Sequence, residues 1–172
     1  MNWQMLTLVG KDRPGIVAQV TEALYQGGWT LGETSMIRLG GNFTIMMMVN
    51  GGQSEQALNL VIAPVADRLG LRFHQDPMQG GLHQHCVPNF QVRVNGADRA
   101  GIVAEVTGKL AESGFNILEL NSDVVGSLEK PVYIMTIQGY AETTVETLEA
   151  SLGRLESEQI DVHVSPIETL IG

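Results

Sequence analysis

Apolar residues recur along this chain with two periods, and the switching between them predicts its elements. Trp3 to Val9 and Asn89 to Val94 read as strands. A helix is expected from about Pro14 to Gln26, with Ile16, Val17, Val20 and Leu24 on one stripe. Its twin carries Ile102, Val103, Val106 and Leu110, and Gly27-Gly28 and Ser113-Gly114 supply the stops. Trp29 to Leu39 and Phe43 to Val49 form a hairpin across Gly40-Gly41-Asn42. A second hairpin, Phe115 to Val125 and Val132 to Gln138, turns through a longer charged loop around Ser127-Leu128-Glu129-Lys130. Ser54 to Leu69 is helical in period, with Pro64 expected to kink or split it. Thr143 to Glu156 follows the same period, with Val145, Leu148, Leu152 and Leu155 inward. Leu71 to His74 and Ile160 to Ser165 complete the series as short strands.

The series is a duplication. Gly10-Lys11-Asp12-Arg13-Pro14-Gly15-Ile16-Val17-Ala18 returns as Gly96-Ala97-Asp98-Arg99-Ala100-Gly101-Ile102-Val103-Ala104, at an offset of 86. Leu24/Leu110, Gly28/Gly114, Leu31/Ile117 and Glu33/Glu119 keep that offset. Thr44-Ile45-Met46-Met47 then matches Val132-Tyr133-Ile134-Met135 at an offset of 88, so the hairpins differ in length. Each copy runs βαββαβ, which predicts an α+β fold of two tandem ferredoxin-like modules, antiparallel sheets with helices on one face. The expected division is residues 1–76 and 89–172 as modules. Residues 77–88, punctuated by Pro77, Gly80, Gly81 and Pro88, read as a linker. Alternation turns Phe43, Ile45, Met47 and Val49 toward the helices, and Thr44, Met46 and Met48 with Met5 and Val9 away from them. An apolar second face of that kind marks a partner surface, so a homo-oligomer or a covering module is expected; gap-filling methionines are the alternative.

Charge narrows the function. The chain has 10 Lys+Arg against 19 Asp+Glu, and the imbalance is concentrated late. Residues 1–76 carry five basic and six acidic side chains, residues 89–172 five and thirteen. Scattered single cations do not make a phosphate-neutralising face, so direct nucleic-acid binding is not expected. The apolar runs are too short to span a bilayer, no signal peptide is expected, and the lone Cys86 cannot form an internal disulfide. A cytoplasmic setting and no membrane partner follow as expectations.

The repeated turn carries the candidate chemistry. At Asp12-Arg13-Pro14-Gly15 the chain leaves a strand and starts a helix whose first amides have no internal partner. Asp12 is well placed as the N-cap, and Gly15 lets another group approach the backbone. The positive helix end suits an anion, the adjacent carboxylate suits an ammonium, and a zwitterionic amino acid presents both. Arg13 and Arg99 are candidates for holding a carboxylate in a two-pronged grip. Helix capping by Asp12 and Asp98, with tight helix packing at the glycines, is the alternative reading.

The segments Gly-Lys-Asp-Arg-Pro-Gly-Ile-Val-Ala, Gly-Gly-Trp-Thr-Leu and Leu-Gly-Gly-Asn-Phe-Thr-Ile resemble the ACT domain, a small amino-acid-binding regulatory module. The resemblance covers both copies. A free-standing pair looks most like the glycine cleavage system transcriptional repressor family, on architecture and length. It implies an effector site where the first loop meets the second strand, often between modules. Carried onto this chain, that site comprises Asp12, Arg13, Gly15, Ile16, Val17, Thr30 and Leu31. In the second copy it comprises Asp98, Arg99, Gly101, Ile102, Val103, Asn116 and Ile117. The Asn116 amide suits a zwitterion better than Thr30, which favours the second copy. The resemblance also implies a small glycine- or serine-like effector and a protein partner such as a transcriptional activator.

His83, His85 and Cys86, with His74 nearby, match no zinc-finger spacing, so no metal or other cofactor is expected. No phosphate loop, Rossmann fingerprint or nucleophile elbow occurs, and no enzymatic activity is expected. The expected function is amino-acid-responsive regulation of transcription through protein contact. The competing expectation is a regulatory or oligomerisation module of a metabolic enzyme.

Overall fold

The structure, a computed structural model, describes residues 3–51, 54–78, 86–97, 100–127, 130–156 and 160–167. The chain divides into two compact units, Met1–Leu82 and His83–Gly172. The first contains β1 (Gln4–Lys11), α1 (Ile16–Gln26), β2 (Thr30–Leu39), β3 (Asn42–Asn50), α2 (Glu55–Leu69) and β4 (Arg72–Pro77). The second contains β5 (Phe90–Ala97), α3 (Ile102–Glu112), β6 (Asn116–Ser127), β7 (Lys130–Tyr140), α4 (Val145–Glu156) and β8 (Ile160–Pro166). Each is the expected βαββαβ series. Its sheet is antiparallel throughout, ordered β2-β3-β1-β4 in the first unit and β6-β7-β5-β8 in the second. Of the expected linker, Pro77 ends β4, and residues 79–85 lie outside the described residues.

One apolar face per sheet explains the layering. Leu6 and Leu8 of β1 and Phe43, Ile45, Met47 and Val49 of β3 are buried against Ile16, Val20 and Leu24 of α1 and Leu58 and Ile62 of α2. In the second unit Val92, Val94, Met135 and Ile137 meet Ile102, Val106 and Leu110 of α3 and Leu148 and Leu152 of α4. Completely burying a side chain of this size stabilises by roughly 1.5–3 kcal/mol, so these stripes dominate each unit's folding. The helix α2 is not split. It runs through Pro64, whose missing N–H leaves the Leu60 carbonyl at an exposed position where water can serve it. Ser54 caps α2 by accepting from the Ala57 N–H, and Gly70 ends it in the left-handed region.

On the opposite face of the first sheet, Met48 pairs with Met5 as the alternation predicts. Met46 is exposed, but Met48 is buried, because the Trp3 ring lies over Gly32 beside Met48. A Cβ on Gly32 would sit 2.9 Å from that ring, so glycine is what allows the indole to cover this end of the face. A bulge between Leu31 and Thr34 re-aims the remainder of β2.

Register also corrects the alignment of the two copies. Leu8 pairs with Ile45 and Leu6 with Met47, whereas Val94 pairs with Met135 and Val92 with Ile137. The third strands therefore correspond as Ile45 to Met135 and Met47 to Ile137, two residues beyond the expected 88. The slip escapes detection in the pattern because an even shift keeps every side chain on its face. The whole difference lies in the hairpin. In the first unit Gly40 and Gly41 form a two-residue turn with φ of 56° and 76°, the mirror-type geometry that suits a tight hairpin.

The glycine before α1 and α3 has a specific role. Gly15 has φ 87° and Gly101 φ 92°, and each caps its helix with no side-chain hydrogen bond. Gly15→Ala or Gly101→Ala should each cost about 1–2 kcal/mol, since a Cβ strains the left-handed region. Gly108→Ala is the contrast: the residue is inside α3 and its Cβ would meet nothing within 4 Å. That change should add roughly 0.5–1 kcal/mol by helix propensity. Urea unfolding of the full chain measures all three, and equal losses at Gly15 and Gly108 would contradict this assignment.

Candidate functional site

The turn from β1 into α1 bounds a hollow of about 590 Å³ on the helix side of the first sheet. Asp12, Arg13, Gly15, Ile16 and Val17 line it, together with Met36, Arg38 and Phe43. These last three enter through strand pairing. Met36 is opposite Ile45 and Arg38 opposite Phe43, so both project from β2 toward the helix layer. The other two expected residues are elsewhere. Thr30 and Leu31 pair with Asn50 and Val49 at the far end of β2 and do not border the hollow.

The left-handed conformation at Gly15 lets the strand turn directly into the helix. The first intrahelical hydrogen bond runs from the Gln19 N–H to the Gly15 carbonyl at 3.1 Å. The amides of Ile16, Val17 and Ala18 precede it and lie where the hollow is lined. α1 has no acidic residue in its first turn, so its positive end is uncompensated from within the helix.

Asp12 is not the N-cap. Its backbone N–H donates to the Gly41 carbonyl at 3.0 Å, and its carboxylate meets Arg38 Nη2 at 2.5 Å. The Arg38 side chain is 69% exposed and that of Asp12 24%, so the pair lies at the water-facing rim. Ion pairs in such a position are screened and bind weakly, of order 0–1 kcal/mol. Arg13, expected to hold a carboxylate, is engaged within the fold. Its guanidinium donates to the Leu69 carbonyl in the last turn of α2, tying the loop to that helix end. Sequence reading missed Arg38, although the alternation along β2, carried past the hairpin turn, places it on the helix side with Met36.

The second unit repeats the left-handed glycine and differs at positions 105 and 124, which are Gln19 and Arg38 in the first. Gly101 is left-handed, Ile102 is buried and Val103 is 37% exposed, each as in the first copy. Asp98 and Arg99 lie outside the described residues. Val124 pairs with Tyr133 and Ser122 with Met135, so they stand where Arg38 and Met36 stand. Glu105 occupies the first turn of α3, at the position of Gln19, and sets a carboxylate against the positive helix end. Asn116 pairs with Tyr140 and Ile117 with Gly139, at the opposite end of β6 from Val124. Gly139 is required there, because a Cβ would overlap the Phe115 ring and the Asn116 carbonyl. Among the described residues no group of three His, Cys, Asp or Glu is arranged to hold a metal, and His83 and His85 lie outside them. No described helix is long and apolar enough to cross a membrane.

If Arg13 serves α2, Arg13→Ala should lower the first unit's stability by about 1 kcal/mol through the lost carbonyl contact. Hydrogen exchange at the C-terminal turn of α2 reads this directly; unchanged protection there would contradict the role.

Residues 4–75 match the family model described as the ACT domain. No curated protein sequence matches the chain. Among solved structures, an "unknown protein" from Galdieria sulphuraria superposes with a TM-score of 0.81 at 21% identity, covering 97% of this chain and 99% of that one. A "putative glycine cleavage system transcriptional repressor" superposes with a TM-score of 0.71 at 19% identity, with 98% of both chains covered. These likenesses cover both units in succession and establish the fold. Residues 4–75 match the ACT domain family directly, and the second unit repeats the same topology.

Proposed function

We propose that this protein is an amino-acid-responsive regulator, without enzymatic activity, whose effector site is the hollow at the start of α1. The observation that carries the reading is the convergence there of three kinds of group. Helix amides and the Arg38 guanidinium suit a carboxylate, and the Asp12 carboxylate suits an ammonium. A free amino acid presents both charges at one carbon. The ACT match of this segment supports an amino acid over other zwitterions. The first copy is favoured over the second, because Val124 and Glu105 stand where the first copy has Arg38 and Gln19. Asn116, the reason for expecting the second copy to sense, is at the other end of its strand.

The regulatory output is transcription, reached through contact with a protein such as an activator rather than with DNA. Full-length likeness in fold to the repressor described above supports this reading. So does the acidic balance, 19 Asp+Glu against 10 Lys+Arg, which repels nucleic acid at long range. A cytoplasmic setting fits both. The competing role, oligomerisation in service of an enzyme, is favoured by Ile37 and Leu39 on β2 and Met46 on β3, which are 63%, 76% and 45% exposed. An apolar edge and face of this kind suits a second copy of the chain.

Isothermal calorimetry of the full chain with a panel of amino acids, glycine and serine first, tests the sensing role. One site per chain is expected. Two equal sites would contradict the preference for the first copy, and no heat at millimolar concentration would contradict sensing. Affinity capture tests the output: a transcriptional activator should be retained, and capture of metabolic enzymes alone would favour the competing role.

A further inference from the structure

Resting on the reading of the hollow as an amino-acid site, we infer that the Asp12–Arg38 ion pair is an exchangeable latch across its rim. The pair holds the place of the ligand's own charges in the empty site and opens when a zwitterion enters. Arg38 then receives the incoming carboxylate, and Asp12 receives the ammonium. One ion pair becomes two, and no charge is left without a partner. A simple carboxylic acid or a simple amine cannot do this, since either would release one member of the pair and leave it unmatched. The latch therefore makes the site selective for ligands that carry both charges.

Three features of the first unit support an exchange of side chains alone. The Asp12 backbone is pinned by its N–H to the Gly41 carbonyl, so the carboxylate can swing without moving the loop. Arg13 is engaged with the Leu69 carbonyl, which leaves Arg38 as the guanidinium that borders the hollow with an exposed side chain and an exchangeable partner. Screening by water at the rim makes the pair easy to open. The second unit has Val124 in place of Arg38 and lacks the arginine half of the latch. The latch joins the β1–α1 loop to the edge strand β2, so opening it removes one side-chain tie while the Asp12 N–H stays on the Gly41 carbonyl.

Titration of the full chain with glycine, acetate and methylamine, followed by amide chemical shifts, tests the latch in wild type, Asp12→Asn and Arg38→Met. Arg38→Lys serves as a variant that keeps the charge and loses the planar fork. In wild type, glycine should bind at least tenfold more tightly than either fragment. Asp12→Asn should bind acetate at least threefold more tightly than wild type, because Arg38 is released. Arg38→Met should lose at least tenfold in glycine affinity, and Arg38→Lys should lose less. Glycine binding that both Asp12→Asn and Arg38→Met leave within twofold would overturn the latch while leaving the sensing site intact. Acetate binding by Asp12→Asn, with no amino acid bound by wild type, would mean that Asp12 merely masks Arg38 and would overturn both the exchange and the sensing reading. Silence of every variant toward every probe overturns both.

Discussion

The structure depends on a backbone constraint repeated at Gly15 and Gly101, a left-handed residue at the point where the first strand of each unit turns into its first helix. L-residues with a Cβ enter that region at a cost, and glycine enters it freely. With the turn made by backbone alone, the helix starts without a side-chain cap. The first amides are left without internal partners, and in the first unit Asp12 is free for other work. In the first unit Asp12 uses that freedom to reach across to Arg38 on β2. The hollow, its charges and the link between loop and edge strand all follow from how this turn is made.

Much of this was legible in the chain itself. Duplication at an offset of 86, together with alternating periods, predicts two βαββαβ units, and both are found. The hairpin offset was less accessible, because displacement by two residues keeps inward residues inward and satisfies the same pattern. Strand pairing resolves it, Leu8 with Ile45 against Val94 with Met135. The buried Met48 was hidden for a related reason. Its cover comes from Trp3, at the start of β1, over a glycine in a neighbouring strand, and no local period records that contact.

The candidate site was half legible. The loop residues were read from the repeat, but its chemistry was distributed differently. Asp12 was read as a partner for an ammonium, with capping as the alternative, and Arg13 as a holder of a carboxylate; the structure pairs Asp12 with Arg38 and Arg13 with the end of α2. Arg38 is 26 positions from Asp12 and becomes its neighbour only through the pairing of β2 with β3 and β3 with β1. Long-range pairing of this kind brings a lone surface arginine into a site, and a one-dimensional motif search passes over it. The duplication then offers an internal comparison. Both helices start at a left-handed glycine, and the units diverge at Arg38/Val124 and Gln19/Glu105, where charge rather than shape is at stake.

The central claim, that the first unit's turn holds an amino acid and the second unit's does not, is tested most directly by mapping where one binds. Amide chemical shifts of the full chain during titration with glycine and serine provide that map. The account predicts saturable shifts at residues 15–18 and at Arg38, with residues 101–104 unmoved. Shifts centred on residues 101–104 and Asn116, with the first turn silent, would contradict it.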